Sequence, residues 1–485
     1  MKKNETNLTT LNDLRSDIIG IDTIVPLLDG TQRRYVFLDN AASTPTFRSV
    51  LKCIEDFMPW YSGVHRGTGF KSLVATELYD HAHDVIGNFV GADLSSNVVI
   101  LVKNSTEAIN KLANRLNLSK DDVVVTTIME HHSNDLPWRK HCKVVHINVE
   151  DNGHLKYDDL RSALKTYKGK VKLVAITGAS NITGICMPMH DIAKWAHEAG
   201  AMIFVDAAQL APHRPIDILP NTDSSHIDFI AFSAHKMYAP FGTGVLIGPR
   251  KVFEKGEPDT VGGGVVTAVS LDEVYWSTPP DKDEAGSPNV VGAIALAKVI
   301  SMMGEVGMDN IARHETDLLE YTYAKIKKIP KIILYGPTDN FKNKVGVITF
   351  NVEEMHNALV AAVFGTEGGI GLRNGCVCAH PYVKRLLKVT PEDDRRLTAE
   401  MVSGNKTNLP GLVRASFGCY NNEEDIDIFI DMLQRVVRGD YRGEYVMNPK
   451  TGTFSAKGFK PDLAKCFSID ESTRHRIERY PSEAS

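Results

Sequence analysis

Ser233-Ala234-His235-Lys236, with the glycine-rich Pro240-Phe241-Gly242-Thr243-Gly244 close behind, sets a hydroxyl, an imidazole and an amine side by side where an apolar run ends. An amine just past a strand end can form an imine with a carbonyl cofactor, and the adjacent hydroxyl and imidazole can bind a phosphate carried by it. A lone lysine in a turn is usually a surface residue, so this reading needs support elsewhere in the chain. Asp206 offers the first support. It follows the apolar run Met202 to Val205, which places a carboxylate at the mouth of a buried strand, where an unpaired charge is costly. A pyridinium nitrogen would be a fitting partner, because the ionised carboxylate keeps the ring protonated and the protonated ring takes up electrons. A cap on a following helix would use the same residue equally well.

Asn104-Ser105-Thr106-Glu107 supplies hydroxyls and N–H groups at an expected helix start. Such a start caps the helix and can also dock a phosphate. Glu130-His131-His132-Ser133-Asn134 again follows an expected strand. An imidazole there can stack on an aromatic ring and exchange protons. Two adjacent histidines also suggest a metal, but neighbours in sequence seldom share one ion and no cluster with ligand spacing lies nearby, so no metal is expected. Cys376 and Cys378 stand close together and can be read as buried thiols, a redox or metal pair, or a reactive thiol with a neighbour.

The elements that must position these residues show as alternation. Strands are expected at Val98–Val102, Val123–Thr127, Leu173–Thr177, Met202–Asp206, Phe229–Ser233 and Val245–Ile247. Most are apolar throughout, as strands buried on both faces should be. Helices are expected at 105–117, with Ile109, Leu112 and Leu116 on one face, and at 190–199, with Ile192, Trp195 and Ala196 together. This reads as an α/β fold, a mostly parallel sheet with helices on both faces, in which ligands gather at the carboxyl ends of the strands. A helical stretch from Val290 to about Lys328 leads into an α+β region with strands at Ile332–Tyr335, Val345–Val352, Ile370–Arg373 and Leu412–Phe417 and a helix at Asp425–Val437. The expected organisation is an N-terminal arm over 1–35, a large domain over 36–295, a smaller domain over 296–440 and an extension over 441–485 that packs on the surface or is partly disordered.

Composition excludes other classes. The 485 residues are 43% apolar and 24% charged with a formal charge of -5, which gives no basic field for nucleic acid or anionic lipid. No run approaches the roughly 18 apolar residues of a membrane span. The first twenty residues lack the apolar region of a secretory signal. Seven scattered cysteines fit reduced thiols in a cytoplasmic protein rather than a disulfide framework.

Read in order, the motifs carry a resemblance. They are Phe37-Leu38-Asp39-Asn40-Ala41-Ala42-Ser43-Thr44, Val64-His65-Arg66-Gly67, Ser105-Thr106-Glu107, Glu130-His131-His132-Ser133-Asn134 and Ser180-Asn181-Ile182-Thr183-Gly184. They continue through Asp206-Ala207-Ala208-Gln209, Ser233-Ala234-His235-Lys236, Gly262-Gly263-Gly264, Glu284-Ala285-Gly286-Ser287-Pro288-Asn289 and Arg414-Ala415-Ser416. From about Tyr35 to about Val437 the chain resembles the class V aminotransferase family of fold-type I pyridoxal-phosphate enzymes, and within it the SUF-type cysteine desulfurases and selenocysteine lyases. The resemblance implies the PLP-dependent transferase fold, with a mostly parallel seven-stranded sheet flanked by helices in the large domain and a smaller α+β C-terminal domain. It implies pyridoxal 5'-phosphate as cofactor and Lys236 as the Schiff-base lysine. His131 would stack on the ring, Asp206 would pair with the pyridine nitrogen and Gln209 would bond the ring hydroxyl. Ser105, Thr106, Ser233 and His235 would hold the phosphate. Ser287, where the family usually has threonine, would reach the phosphate of the neighbouring subunit in a homodimer. Asn181 and Arg414 would hold the substrate carboxylate, with Arg373 and His65 also at the substrate.

In SUF-type enzymes the loop resembling Gly371-Leu372-Arg373-Asn374-Gly375-Cys376-Val377-Cys378 ends on a nucleophilic cysteine, which falls on Cys378. Cys376 then stands where histidine is usual. The implied reaction converts L-cysteine, or selenocysteine, to L-alanine and passes the sulfur, as a persulfide on Cys378, to an acceptor protein such as an iron–sulfur scaffold. The chain departs from the pattern in two places. The interval from Cys378 to Arg414 is longer than in SUF-type enzymes, the polar excess around Thr390–Pro410 suggesting a lid or docking loop, and the tail beyond 441 is also extra. A Gly-Cys-x-Cys loop also resembles divergent class V members and molybdenum-cofactor sulfurases. A second reading keeps the cofactor without a catalytic cysteine, as a selenocysteine lyase, C–S lyase, epimerase or aminotransferase. A third, a non-catalytic binding protein on the same fold, is disfavoured by the intact lysine and phosphate ligands.

Overall fold

A computed structural model describes residues 10–469. The apolar runs assemble into one sheet of seven strands: β1 (Asn97–Val102), β2 (Val123–Thr127), β3 (Lys143–Ile147), β4 (Val171–Thr177), β5 (Met202–Asp206), β6 (Phe229–Ser233) and β7 (Gly244–Pro249). Their order is β1-β7-β6-β5-β4-β2-β3. β7 pairs antiparallel with both β1 and β6, and the remaining pairs are parallel. β2 and β6 are buried at every residue, which is why their runs are unbroken. β3 escapes the sequence reading because it is an edge strand, with exposed Lys143 and half-buried His146 interrupting its apolar pattern.

Helices Ser105–Arg115 and Met189–Glu198 lie within two residues of their expected bounds. Asn104 caps the first, its side-chain oxygen accepting the N–H of Glu107 at 3.0 Å. The expected helical stretch from Val290 is two helices, Val290–Val306 and Met308–Ile326. They part at Gly307, whose φ of 89° leaves the right-handed helical region.

A second sheet contains β8 (Ile332–Tyr335), β9 (Val347–Val352), β10 (Arg373–Gly375) and β11 (Leu412–Ser416), antiparallel in the order β8-β9-β11-β10. Helices Asn357–Gly368 and Glu423–Arg438 cover it, and Phe350, Phe364 and Phe429 meet between them. The expected strand Ile370–Arg373 divides. Ile370–Gly371 pairs parallel with Val36–Phe37, whereas Arg373 turns to join β11. Val36 and Leu38 consequently pack in the smaller core, although the sequence reading assigns residue 36 to the larger domain.

The polar excess near 390–410 is a helix, Pro391–Val402, with no buried residue. Thr390 caps it, proline stands in its first turn, and Glu392, Asp393 and Asp394 face its positive end. The extension forms a hairpin, Tyr445–Asn448 with Thr453–Ala456, pinned by the Tyr445 hydroxyl 3.0 Å from Glu367. The ends of the expected arm and extension, residues 1–9 and 470–485, lie outside the described residues. Among the described residues no single helix is long and apolar enough to cross a membrane.

Because β1, β2, β4, β5 and β6 run the same way, Val102, Thr127, Thr177, Asp206 and Ser233 end at one edge of the sheet. Gly244 opens β7 beside them, and a Cβ there would stand 2.4 Å from the Asn104 Cα. Glycine at this position lets the start of helix 105–115 close onto the sheet. Gly244→Ala should lower stability by about 1–3 kcal/mol through overpacking against backbone. Urea unfolding checks this, and an unchanged midpoint would show that the helix start has room to move.

Candidate active site

The strand ends open into a cleft of about 370 Å³ that brings Lys236, Asp206, His131, Cys378 and Arg414 to one space. Lys236 emerges from a single 3-10 turn, Ala234–Lys236, directly after β6. Burial pushes its ammonium down to about 8 against the opposing pull of Asp206, so the free amine is accessible near neutral pH. Asp206 ends β5, is buried, and accepts the Ala208 N–H at 3.0 Å. Burial raises its carboxyl, and a cationic N–H donor would relieve that cost. Gln209 donates to the Ala41 carbonyl at 2.6 Å, while its Oε1 is buried without a partner among the described residues. That oxygen is free to accept from a hydroxyl in the cleft.

At one end of the cleft, hydroxyls cluster against a helix start. Ser105 N–H donates to Ser233 Oγ at 2.8 Å, the two Ser oxygens are 2.9 Å apart, and Thr106 Oγ1 lies 2.7 Å from Ser133 Oγ. Together with the positive end of helix 105–115 they suit a phosphate. Burial, then the Lys236 charge, hold the His235 imidazolium down to about 4, so the ring is neutral at physiological pH and Nδ1 stands 3.3 Å from Ser43 Oγ. The same causes hold His131 down to about 4. Ser133 donates its N–H to His131 Nδ1 at 3.2 Å, which leaves the ring proton on Nε2. An aldehyde, a pyridinium nitrogen, a ring hydroxyl and a phosphate thus each find a matching group, and the residues present fit pyridoxal phosphate.

At the other end, Arg414 on β11 is buried and donates to the Asn181 carbonyl at 2.9 Å and to Asp39 Oδ1 at 3.1 Å. Arg373 lies opposite it in register and reaches Asp39 Oδ2 at 2.7 Å. Two guanidiniums share one carboxylate, leaving a positive charge for an incoming anion. Arg414 Nε, buried without a partner among the described residues, is an unused donor in the same group. Asp39, Ser43 and Ser133 received no role from the sequence. Only their place inside quoted motifs could have pointed to them.

The cysteine loop is held in an uncommon conformation. Val377 and Cys378 take φ of 44° and 56°, a region that β-branched residues rarely occupy. The Asn181 amide donates to the Val377 carbonyl at 2.9 Å, and the His132 N–H to the Cys378 carbonyl at 2.8 Å. Cys378 is exposed and lines the cleft. Cys376 is turned away, donating to the Pro410 carbonyl at 3.1 Å, and burial pushes its thiol up to about 11.

Two predicted residues do not reach Lys236 within one chain. His65 and Ser287 line a separate cavity of about 320 Å³, where His65 Nε2 stands 3.0 Å from Asp80. His65 lies in the loop that leads into helix Phe70–Phe89, and Ser287 precedes helix Val290–Val306, so the packing of those helices carries both away from the sheet edge.

The depressed Lys236 amine makes its reactivity pH-dependent. The rate at which the apo-enzyme captures pyridoxal phosphate, followed by absorbance, should rise about tenfold per pH unit below the lysine's pKa and flatten above about 8. A rate still climbing toward the range of an ordinary lysine would remove the desolvation argument.

Known proteins match this arrangement over most of its length. The model of the class-V aminotransferase family matches residues 36–429. A protein of Halalkalibacterium halodurans described as a probable cysteine desulfurase is 35% identical over 409 residues, 82% of this chain and 92% of that protein. A cysteine desulfurase of Haloferax volcanii is 32% identical over 407 residues, 82% of this chain and 88% of that protein. The solved apo structure of cysteine desulfurase from Thermococcus onnurineus NA1 superposes with a TM-score of 0.75 at 32% identity, covering 88% of this chain and 98% of that one. A desolvated lysine, a buried aspartate and a hydroxyl cradle on one mostly parallel sheet therefore sit in a chain that belongs to the class V aminotransferase family.

Proposed function

We propose that this chain is a pyridoxal-phosphate-dependent cysteine desulfurase that converts L-cysteine to L-alanine and keeps the sulfur as a persulfide on Cys378. The observation that carries the reading is a single cleft joining a desolvated amine, a buried carboxylate and an exposed thiol on a constrained loop. When bound, the cofactor stores the electron pair released as the substrate Cα–H bond breaks. Lys236 would hold its aldehyde, Asp206 its ring nitrogen, Gln209 its hydroxyl, and Ser105, Thr106, Ser233 and His235 its phosphate. His131, neutral and with its proton on Nε2, would cover the ring.

Arg414 would clamp the substrate carboxylate, with Arg373 completing the positive end and Asp39 fixing the angle between the two guanidiniums. Asn181 serves both sides, since its carbonyl accepts from Arg414 and its amide holds the cysteine loop. Lys236 Nζ, as free amine, takes the Cα proton. The Cys378 thiolate then attacks the substrate sulfur, so an S–S bond forms as the C–S bond breaks. The departing Cβ keeps the electron pair and gains a proton to become the methyl of alanine. Sulfur is oxidised and Cβ reduced by the same two electrons, so no outside oxidant is needed. Cys376 stays protonated and tied to Pro410 throughout.

The same reading covers the assembly. Ser287 and His65 would complete the cleft of a second copy in a homodimer, which their distance from Lys236 in one chain favours. Trp60, Phe70, Leu73, Val261 and Leu271 are exposed on the segments around them, an apolar surface suited to a subunit contact. The arm, large, small and extension divisions at 36, 296 and 441 describe the chain's working parts, with Val36–Leu38 lent to the smaller core. All seven cysteines are free thiols, in keeping with a reducing cytoplasm and transfer of the persulfide to an acceptor protein.

Cys378→Ala should abolish alanine formation from cysteine, while Cys376→Ala keeps it. Mass spectrometry after incubation with cysteine should find one added sulfur, on Cys378. Full alanine production by Cys378→Ala would instead identify a family member that works without a thiol. Asp39→Asn should raise KM for cysteine about tenfold with a smaller change in kcat, as expected when a carboxylate clamp loses its orienting partner. Steady-state kinetics check it, and an unchanged KM would remove Asp39 from substrate binding.

A further inference from the structure

At the end of the large sheet away from Lys236, three potential metal ligands gather. His197, on helix Met189–Glu198, meets His226 and Asp228, which precede β6, with one ligand atom of each within 4.8 Å of the others. His197 Nε2 lies 2.8 Å from Asp228 Oδ2, and His226 Nε2 lies 3.2 Å from Asp228 Oδ1. The opposite nitrogens are already committed. His197 Nδ1 stands 2.8 Å from the Ser224 carbonyl and His226 Nδ1 2.6 Å from the Asp223 carbonyl. A carbonyl only accepts, so both Nδ1 atoms carry protons, and in the neutral rings both Nε2 lone pairs face the carboxylate.

The two rings stack at 4.4 Å and 26° and present both Nε2 atoms to one carboxylate. One divalent ion would satisfy both lone pairs and the carboxylate together. Ligands about 2.0–2.1 Å from a tetrahedral ion stand about 3.3 Å apart, and the three ligand atoms here all lie within 4.8 Å of one another. An Nδ1–H anchored to a carbonyl behind a ligating Nε2 is the outer support that orients a metal-binding histidine. The side chains are shielded but reachable, 19%, 14% and 10% exposed for His197, His226 and Asp228. Asp228 also accepts the Ile203 N–H at 2.9 Å, which fixes it to the start of β5.

We propose that His197, His226 and Asp228 form a site for one divalent transition cation of the zinc kind, completed by water, which clasps helix Met189–Glu198 to the turn before β6. It is separate from the catalytic cleft and does not involve the adjacent His131 and His132. Its role is structural, because it joins the amino-terminal ends of β5 and β6 to a covering helix.

The test titrates the full-length enzyme, loaded with pyridoxal phosphate, with Co²⁺ and follows the long-wavelength d–d bands of tetrahedral cobalt. One saturable band per chain, displaced by Zn²⁺ and free of near-ultraviolet thiolate charge transfer, is expected. His226→Gln and, independently, His197→Gln should each weaken binding by more than about tenfold. Zn²⁺ should raise the thermal midpoint of the wild type and not of either variant. The proposal is overturned if the wild type shows no saturable band, if thiolate charge transfer accompanies it, or if a variant that still folds and binds the cofactor binds cobalt unchanged. Should one variant fail to fold, the other and the wild-type spectrum decide.

Discussion

An amine that water cannot fully solvate, faced by one buried carboxylate, sets the terms for the rest of this cleft. Both charges are expensive away from water, and among the described residues neither is neutralised by an ordinary ion pair with another side chain. The cost is offset by strands buried on both faces, whose packing forces Asp206 and Lys236 to the same edge of the sheet. The neighbouring imidazoles stay neutral for the same reason, since burial and the lysine charge oppose a further proton on His131 and His235. The cleft then carries three cationic side chains, Lys236, Arg373 and Arg414, against the two carboxylates Asp39 and Asp206. That excess suits a ligand that brings a phosphate and a substrate that brings a carboxylate.

The two cores contribute different chemistry. The larger sheet supplies the amine, its carboxylate and the hydroxyl cluster, whereas the smaller sheet supplies both arginines from adjacent strands. Asp39 and Asn181 bridge them. Asp39 leaves a strand paired with the smaller core and binds both guanidiniums, and Asn181 follows β4 of the larger sheet and holds Arg414 and the cysteine loop. Asn181, on the same side of the molecule as the Lys236 sheet, thereby ties both Arg414 and the cysteine loop to it. The left-handed backbone at Val377 and Cys378 is therefore supported from the larger sheet, by Asn181 and His132, rather than from its own strand.

Much of this was legible from the chain because burial on both faces leaves an apolar run that ends abruptly in a polar residue. That contrast marked β2, β5 and β6, and with them Asp206 and Lys236. Where burial is one-sided the contrast fades, as in edge strand β3. The helix 391–402 carried its own start signal, threonine, proline and three acids, yet its lack of a buried face made it look like a polar loop. The split of 370–375 between two partners was not visible, because strand pairing is a long-range choice.

By itself the amino-acid sequence determined the alternating architecture, the place of Lys236 just past a strand end and the set of groups suited to a phosphorylated pyridine. The family loop already pointed to Cys378, and the tertiary structure added the physical difference between two cysteines separated by one residue, exposing Cys378 in the cleft and burying the Cys376 thiol. Cys376 and Cys378 are chemically identical, and only a buried contact with Pro410 and a turned backbone separate them. Folding likewise gave Asp39 its two arginines and gathered His197, His226 and Asp228 at one point. Partners from distant parts of a chain leave no local spacing to read, because their meeting depends on how whole elements pack.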